Sequence, residues 1–263
     1  MDGKISRRDM LAKAALVGAG AFAGSLISPK AEASDETSLM KEWPWPYVKL
    51  DPAETAEIAY QNWYNLGCGG TVMFSIFDQL AKKVGEPYKS FPVESFAIYE
   101  GGIAGWGTTC GSVNGAGTVI SLIVGPPTWE DRSKTITSDI FDWYSHTNMP
   151  VYVPLKPHAN KNSIQHTVSD SPLCHVSVSK WMKKANAALS SEERKDRCAR
   201  VSASVAYKVV QYLNMIHDDK FDKEHANWSG PVKAGTTAQY NCADCHGKNV
   251  PKPPMPKKPT AGE

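Results

Sequence analysis

The sequence predicts an all-α fold, a single helical domain with long irregular loops and an extended C-terminal segment. Three observations carry this. Asp51-Pro52-Ala53-Glu54 is a helix start, with Asp as N-cap, proline at the first helical position and Glu completing a box-like pattern. Ser190-Ser191-Glu192-Glu193 is a capping box, and the helix it opens sets Cys198, Val201, Val205, Val209, Tyr212, Leu213 and Ile216 along one face. No stretch alternates apolar and polar residues strongly enough to build a sheet. With 263 residues, 41% of them hydrophobic and 21% charged, the chain can bury a real core, which excludes a disordered protein.

Residues 1–33 read as a targeting segment: a basic start around Ser6-Arg7-Arg8-Asp9, an apolar stretch from Ala14 to Ile27, and the small-residue site Ala31-Glu32-Ala33. That stretch falls short of the roughly 20 residues that span a bilayer. Paired arginines before a weakly hydrophobic core match the twin-arginine type of signal, so the mature protein is expected to be soluble and periplasmic or otherwise exported. Five of the 29 basic and three of the 27 acidic residues lie in this segment, leaving 24 of each. A neutral body has no general means of holding nucleic acid or an anionic membrane.

The remaining elements follow in order. Residues 34–50 form an arm whose Trp43-Pro44-Trp45-Pro46 cannot be regular helix, because proline disfavours α geometry in the residue before it. A helix runs from Asp51 to about Leu66. Met73, Ile76, Phe77 and Leu80 share a face, which predicts a second helix over 70–84. Residues 93–101 read as a third, and 109–124, apolar and Gly-rich, as a buried helix ended by Gly125-Pro126-Pro127. Residues 133–146 suit another. Residues 147–173, full of Pro, Asn and His, read as loop or a few short strands. The helical domain is thus placed at 51–217, a cofactor attachment segment at 218–247, and a Pro/Lys-rich tail at 248–263 with five prolines and four lysines against one glutamate.

The attachment segment is named for Cys242-Ala243-Asp244-Cys245-His246, the C-x-x-C-H signature of covalent haem c. Two thiols one turn apart reach the two vinyl groups of one porphyrin, and the adjacent histidine ligates the iron from one face. Chance would produce the pattern on the order of 0.004 times in a chain of this composition. A zinc knuckle or a surface disulfide is the competing reading. One haem c per chain is expected, with thioethers from Cys242 and Cys245 and His246 as axial ligand. His146, His158, His166, His175, His217, His225, Met149 and Met215 are candidates for the second axial position, and His175 is preferred because it follows Cys174 in a non-periodic region.

Cys68, Cys110, Cys174 and Cys198 are widely spaced, without the paired pattern of a ferredoxin or zinc ribbon. Cys68, in Gly67-Cys68-Gly69-Gly70, is expected at a helix start, where amide dipoles stabilise a thiolate. Cys110 lies among Gly105, Gly107, Gly111, Gly115 and Gly117, where the backbone can approach a bulky group. Three readings stay open: a cysteine-ligated metal or iron–sulfur cluster, two disulfides, or buried thiols. The twin-arginine-type signal favours a cluster, since a cofactor assembled in the cytoplasm gives a reason to fold before export.

Gly67-Cys68-Gly69-Gly70, Cys110-Gly111-Ser112-Val113-Asn114-Gly115-Ala116, Ser171-Pro172-Leu173-Cys174-His175 and Arg197-Cys198-Ala199-Arg200 resemble the spaced cysteines of the C-GCAxxG-C-C redox family. With the C-terminal haem motif added, the chain resembles that family's split-Soret cytochrome c branch over residues 50–250. The resemblance implies an all-helical homodimer with haems gathered at one end, bis-histidine ligation that can draw on the partner chain, and an iron–sulfur site at the four cysteines. The branch carries two haems per subunit, whereas this chain has a single C-x-x-C-H, so one covalent haem is expected.

The sequence function is therefore electron transport by an exported c-type cytochrome, with other redox proteins as donor and acceptor. No Ser-His-Asp arrangement, phosphate loop or HExxH segment points to hydrolysis. The alternative is an oxidoreductase in which an open haem or the cysteine site binds a small substrate, and a third reading is a redox sensor.

Overall fold

A computed structural model describes residues 43–125, 132–159 and 164–221. The targeting segment, residues 34–42 of the arm, His225, the haem motif Cys242, Cys245 and His246, and the tail lie outside the described residues. Within them the chain is helical, as its sequence predicts: five α-helices and one 3₁₀ helix, with two isolated β-bridges and no strand.

Helix α1 (Pro52–Lys83) begins where the cap signal places it, Asp51 Oδ1 accepting from the amides of Ala53 at 2.7 Å and Glu54 at 2.9 Å. The two helices expected on either side of Leu66 are halves of this element, separated by a kink at Gly67. Gly67 has φ 64° and ψ −167°, a conformation essentially reserved for glycine. The helix expected over 93–101 is instead a 3₁₀ helix, Val93–Ile98. It cannot extend, because Gly101, Gly102 and Ala104 all take positive φ and fold the chain into consecutive turns.

Helix α2 (Gly111–Val124) is buried along most of its length, and Gly125 stops it with φ 120°. Each of Val113, Val119 and Ile120, wholly enclosed, contributes about 1.5–3 kcal/mol of transfer free energy. Helix α3 (Arg132–His146) matches its expected span. Residues 147–159 and 164–173 are irregular, pinned by bridges pairing Met149 with Thr167 and Thr109 with Leu173. Helix α4 (Cys174–Ala185) is absent from the sequence reading, although Cys174, Val178, Trp181, Met182 and Ala185 recur along it at helical spacing; Ser177, Val178 and Trp181 are buried. Helix α5 (Glu192–His217) is capped by Ser191, whose Oγ accepts from Arg194 N at 3.2 Å, one residue later than the Ser190/Glu193 box implies.

Helix α5 packs along α1, and α2 bridges α1, α3 and α5. The described part of the arm lies on this body. Trp45 nests among Phe77, Tyr88 and Phe91 at centroid distances of 5.8, 5.2 and 5.2 Å, and Tyr47 donates to Asn214 Oδ1 at 2.8 Å. No described helix is long and apolar enough to cross a membrane.

Candidate cysteine site

The fold gathers all four cysteines of the helical domain. The Gly67 kink turns Cys68 towards the start of α2, and close backbone contact fixes that approach. A Cβ on Gly115 would lie 2.6 Å from Gly69 O, and one on Gly69 would lie 2.5 Å from Tyr99 Cβ. Cys110 immediately precedes α2. The bridge between Thr109 and Leu173 then lays Cys174 alongside, with Cys110 N donating to Pro172 O at 2.8 Å and Cys174 N to Thr108 O at 2.7 Å. Cys198 comes from the buried face of α5, and Ser202, one turn on, ties α5 to α2 through Ser112 (Oγ to Oγ 2.9 Å).

All four are free thiols, three of them buried and Cys174 partly so. Cys68, Cys174 and Cys198 line a cavity of about 310 Å³ together with Trp63, Val178, Met182, Glu100, Arg194 and His175. Cys110 does not border it, yet lies close enough to oppose ionisation of both Cys68 and Cys174. Among the described residues no three His, Cys, Asp or Glu side chains converge on a point that would hold a single ion, so the thiols surround a chamber.

Electrostatically the chamber is a buried, mutually repelling set of acids. Burial, then the neighbouring Cys198 and Cys110, raise the Cys68 thiol well above its ordinary range, although Trp63 donates its Nε1 proton to Cys68 Sγ at 3.4 Å. The helix-start stabilisation expected for a Cys68 thiolate is therefore overridden. It loses because the residue sits inside a continuous packed element, where desolvation outweighs a partial dipole charge. Cys174 is pushed up to about 12 by burial and by Cys110 and Cys198, against the opposing pull of Arg197 and Arg194.

Arg197 is the counterweight. Its side chain is 2% exposed, its Nη2 donates to Ser177 Oγ at 2.7 Å, its Nη1 points at Cys198 Sγ at 3.9 Å, and its Nε has no partner. Burial would depress the guanidinium, but Cys198, Tyr144 and Cys110 around it more than offset that, leaving its pKa raised. The other buried arginine, Arg200, is paired with Asp196 at 2.8 Å. Arg197 instead faces sulfur, and a full charge at such depth requires negative partners.

His175, at the first turn of α4, presents an exposed ring whose Nδ1 lies 2.8 Å from Gly107 O, an arrangement that leaves Nε2 directed outward. Of the described candidates for a second haem ligand, it alone lines the cysteine chamber. His146 pairs with Asp142, His217 adjoins Asp218 and His158 stacks on Tyr64; Met149 is buried in the core. Trp63, Tyr144 and Arg197 were not anticipated as site residues. The legible signal was the Arg-Cys-x-Arg run on an otherwise apolar helix face.

The C_GCAxxG_C_C family of redox-active proteins matches residues 68–212, a span that opens on Cys68 and takes in the other three clustered cysteines. This chain belongs to that family. Its membership extends to an individual relative, the split-Soret cytochrome c of Desulfovibrio desulfuricans (strain ATCC 27774), 34% identical over 205 residues, which are 77% of this chain and 70% of that protein. A solved structure describing a novel iron centre in the split-Soret cytochrome c from the same strain superposes with a TM-score of 0.64 at 30% identity. It covers 80% of this chain and 95% of that one. The C_GCAxxG_C_C chain described here is thus a redox-active protein related to a cytochrome with an iron centre, and its thiol chamber lies within the matched span.

Proposed function

We propose that the protein is an exported electron-transfer cytochrome with two centres, one haem c on Cys242, Cys245 and His246 and an iron–sulfur cluster in the chamber of Cys68, Cys110, Cys174 and Cys198. The observation that carries the second centre is Arg197. Four neutral thiols would leave its buried charge uncompensated, whereas metal-bound thiolates supply the negative partners it lacks. The donor set fits: soft sulfur ligands surround a cavity of about 310 Å³.

An iron–sulfur group bound there would supply one-electron chemistry. The chain's own residues do the rest. Trp63 donates a hydrogen bond to Cys68 sulfur, and Arg197 offsets negative charge beside Cys198; both favour a more reduced, more negative site. Val178, Met182 and Trp63 give the chamber apolar walls. His175 is the proposed second axial ligand of the haem iron, its ring oriented by Gly107 O. The twin-arginine-type leader, periplasmic location and homodimer belong to the same proposal, supported by residues 1–33 and by the relationship to split-Soret cytochrome c.

An oxidised-minus-reduced spectrum of anaerobically purified protein, with haem and total iron measured on the same sample, tests it. One low-spin haem per chain with iron in excess of haem is expected. Iron equal to haem would remove the cluster, and a mass increment of two haems would remove the single-haem assignment. His175→Ala is expected to turn the haem high-spin. The charged residues Glu100 and Arg194 in the chamber's lining favour, as a second reading, an oxidoreductase acting on a small substrate; carbon monoxide binding to the reduced wild-type haem would select it.

A further inference from the structure

A file of aromatic rings leads from the cysteine chamber to the surface. Trp63, hydrogen-bonded to Cys68 Sγ, meets Tyr64 edge-on with centroids 5.2 Å apart. Tyr64 lies 4.1 Å from the exposed ring of His158, His158 lies 5.5 Å from Tyr60, and Tyr60 lies 6.3 Å from Tyr152. Two of the phenols carry a carboxylate as hydrogen-bond acceptor. Tyr60 donates to Asp196, which is fully buried, and Tyr152 donates to Glu57. His158 N donates to Tyr60 Oη at 2.8 Å and fixes that junction.

Indole and phenol are among the side chains that give up a single electron most readily. An oxidised phenol sheds its proton, and a hydrogen-bonded carboxylate can take that proton and return it. The hydroxyl of Tyr64 differs, being buried without a hydrogen-bond partner, so that residue serves the file through its ring. We propose that this file conducts single electrons from the cysteine site to a one-electron oxidant at the His158–Tyr152 face, giving the protein a radical-reducing activity. The inference rests on the reading of the cysteines as a redox site.

In the proposed step the oxidant removes one electron from Tyr60, and the phenol proton passes to Asp196. One electron then leaves the Cys68 sulfur and crosses Trp63 and Tyr64 to refill the Tyr60 ring as the proton returns. The oxidant has gained one electron and the cysteine site has lost one. In the metal-free protein the Cys68 thiol, having given its proton to solvent, is left as a sulfur radical shared with a second cysteine; a bound iron–sulfur group would take up the same one-electron loss in place of the sulfur.

Flash photolysis tests the proposal on reduced full-length protein, with ruthenium tris-bipyridyl and a sacrificial quencher generating ruthenium(III) as the oxidant. Time-resolved absorption follows the tyrosyl radical in wild type, Trp63→Phe, Tyr64→Phe and a control outside the file, Trp143→Phe. The expected result is a radical lifetime at least tenfold longer in the first two variants and unchanged in the control. Tyr64→Phe removes one buried hydroxyl and keeps the ring, so it is the milder substitution and carries the test even if Trp63→Phe does not fold. Any haem competes equally in all four proteins. An unchanged lifetime in Tyr64→Phe and in a folded Trp63→Phe would overturn the relay. Iron measured on the same samples separates the two readings: Trp63-dependent decay without surplus iron keeps the relay and rejects the cluster, while Trp63-independent decay with surplus iron rejects the relay alone.

Discussion

The guanidinium of Arg197 lies against the sulfur of Cys198, Nη1 to Sγ 3.9 Å, and its second terminal nitrogen is held by Ser177 Oγ at 2.7 Å. Adjacent residues on a helix seldom turn their ends towards each other. Here Ser177 on α4 draws the arginine over the cysteine, so α4, which the sequence barely announces, sets the charge at the site.

Replacing Arg197 by Met should therefore separate stability from iron content. Without its charge, the metal-free protein is expected to be as stable as wild type or more so, by about 1–3 kcal/mol, since an apolar replacement of a buried ion is often stabilising. Iron retained per chain should fall several-fold. Urea unfolding of chelator-treated protein and iron analysis of the untreated protein check the two halves.

The cysteines should differ in importance. Serine at Cys68, Cys174 or Cys198, which line the cavity, is expected to cost most of the surplus iron, and serine at Cys110, which does not, distinctly less. Equal loss at all four positions would place Cys110 in the ligand set on the same footing.

Alkaline pH should destabilise the reduced, metal-free protein. Cys174 titrates near 12 when folded against an ordinary value of 9, so its contribution is fully present below pH 9 and is lost as pH rises towards 12. Each thiol so raised adds up to about 1.4 kcal/mol per pH unit to the slope. The slope between pH 9 and 10, measured by denaturant titration, should be shallower in Cys174→Ser than in wild type, the tyrosines contributing equally to both.

The crossing of α1 and α2 makes a contrasting pair. Gly115→Ala puts a methyl 2.6 Å from the Gly69 carbonyl oxygen, and backbone must move. About 1–3 kcal/mol of stability should be lost, with displacement of Cys68 and reduced iron binding. Gly117→Ala meets only a Thr137 methyl at 3.3 Å and should be neutral, or gain from improved helix propensity. Thermal melts of the two variants decide.

Most of the helical order was legible because it rests on local chemistry: Asp51 before Pro52, the apolar face from Cys198 to Leu213, and the glycine that stops α2. The failures have local causes too. Residues 93–101 carry helix-compatible side chains, yet the glycines after Glu100 leave the right-handed region, and α4 is short, its apolar positions Val178, Trp181 and Met182 following directly on a stretch rich in Pro, Asn and His. At the site, the four cysteines and a shared site for them could be proposed from the chain, but not the contacts that assemble it, which include the Thr109–Leu173 bridge. The inversion at Cys68 was equally hidden, because desolvation is a property of the packed surroundings and not of a tetrapeptide.

The four clustered cysteines are 42, 64 and 24 residues apart in the chain, and each joins the cluster from a different segment. No two neighbour one another in a nascent polypeptide, and the last does not emerge until α5 is being made. Among these four, a growing chain therefore presents no adjacent pair of cysteines on which a stray metal ion could settle. Whatever the chamber takes up, it takes up after the helices have docked, so occupancy doubles as a certificate that the helices around it have folded together.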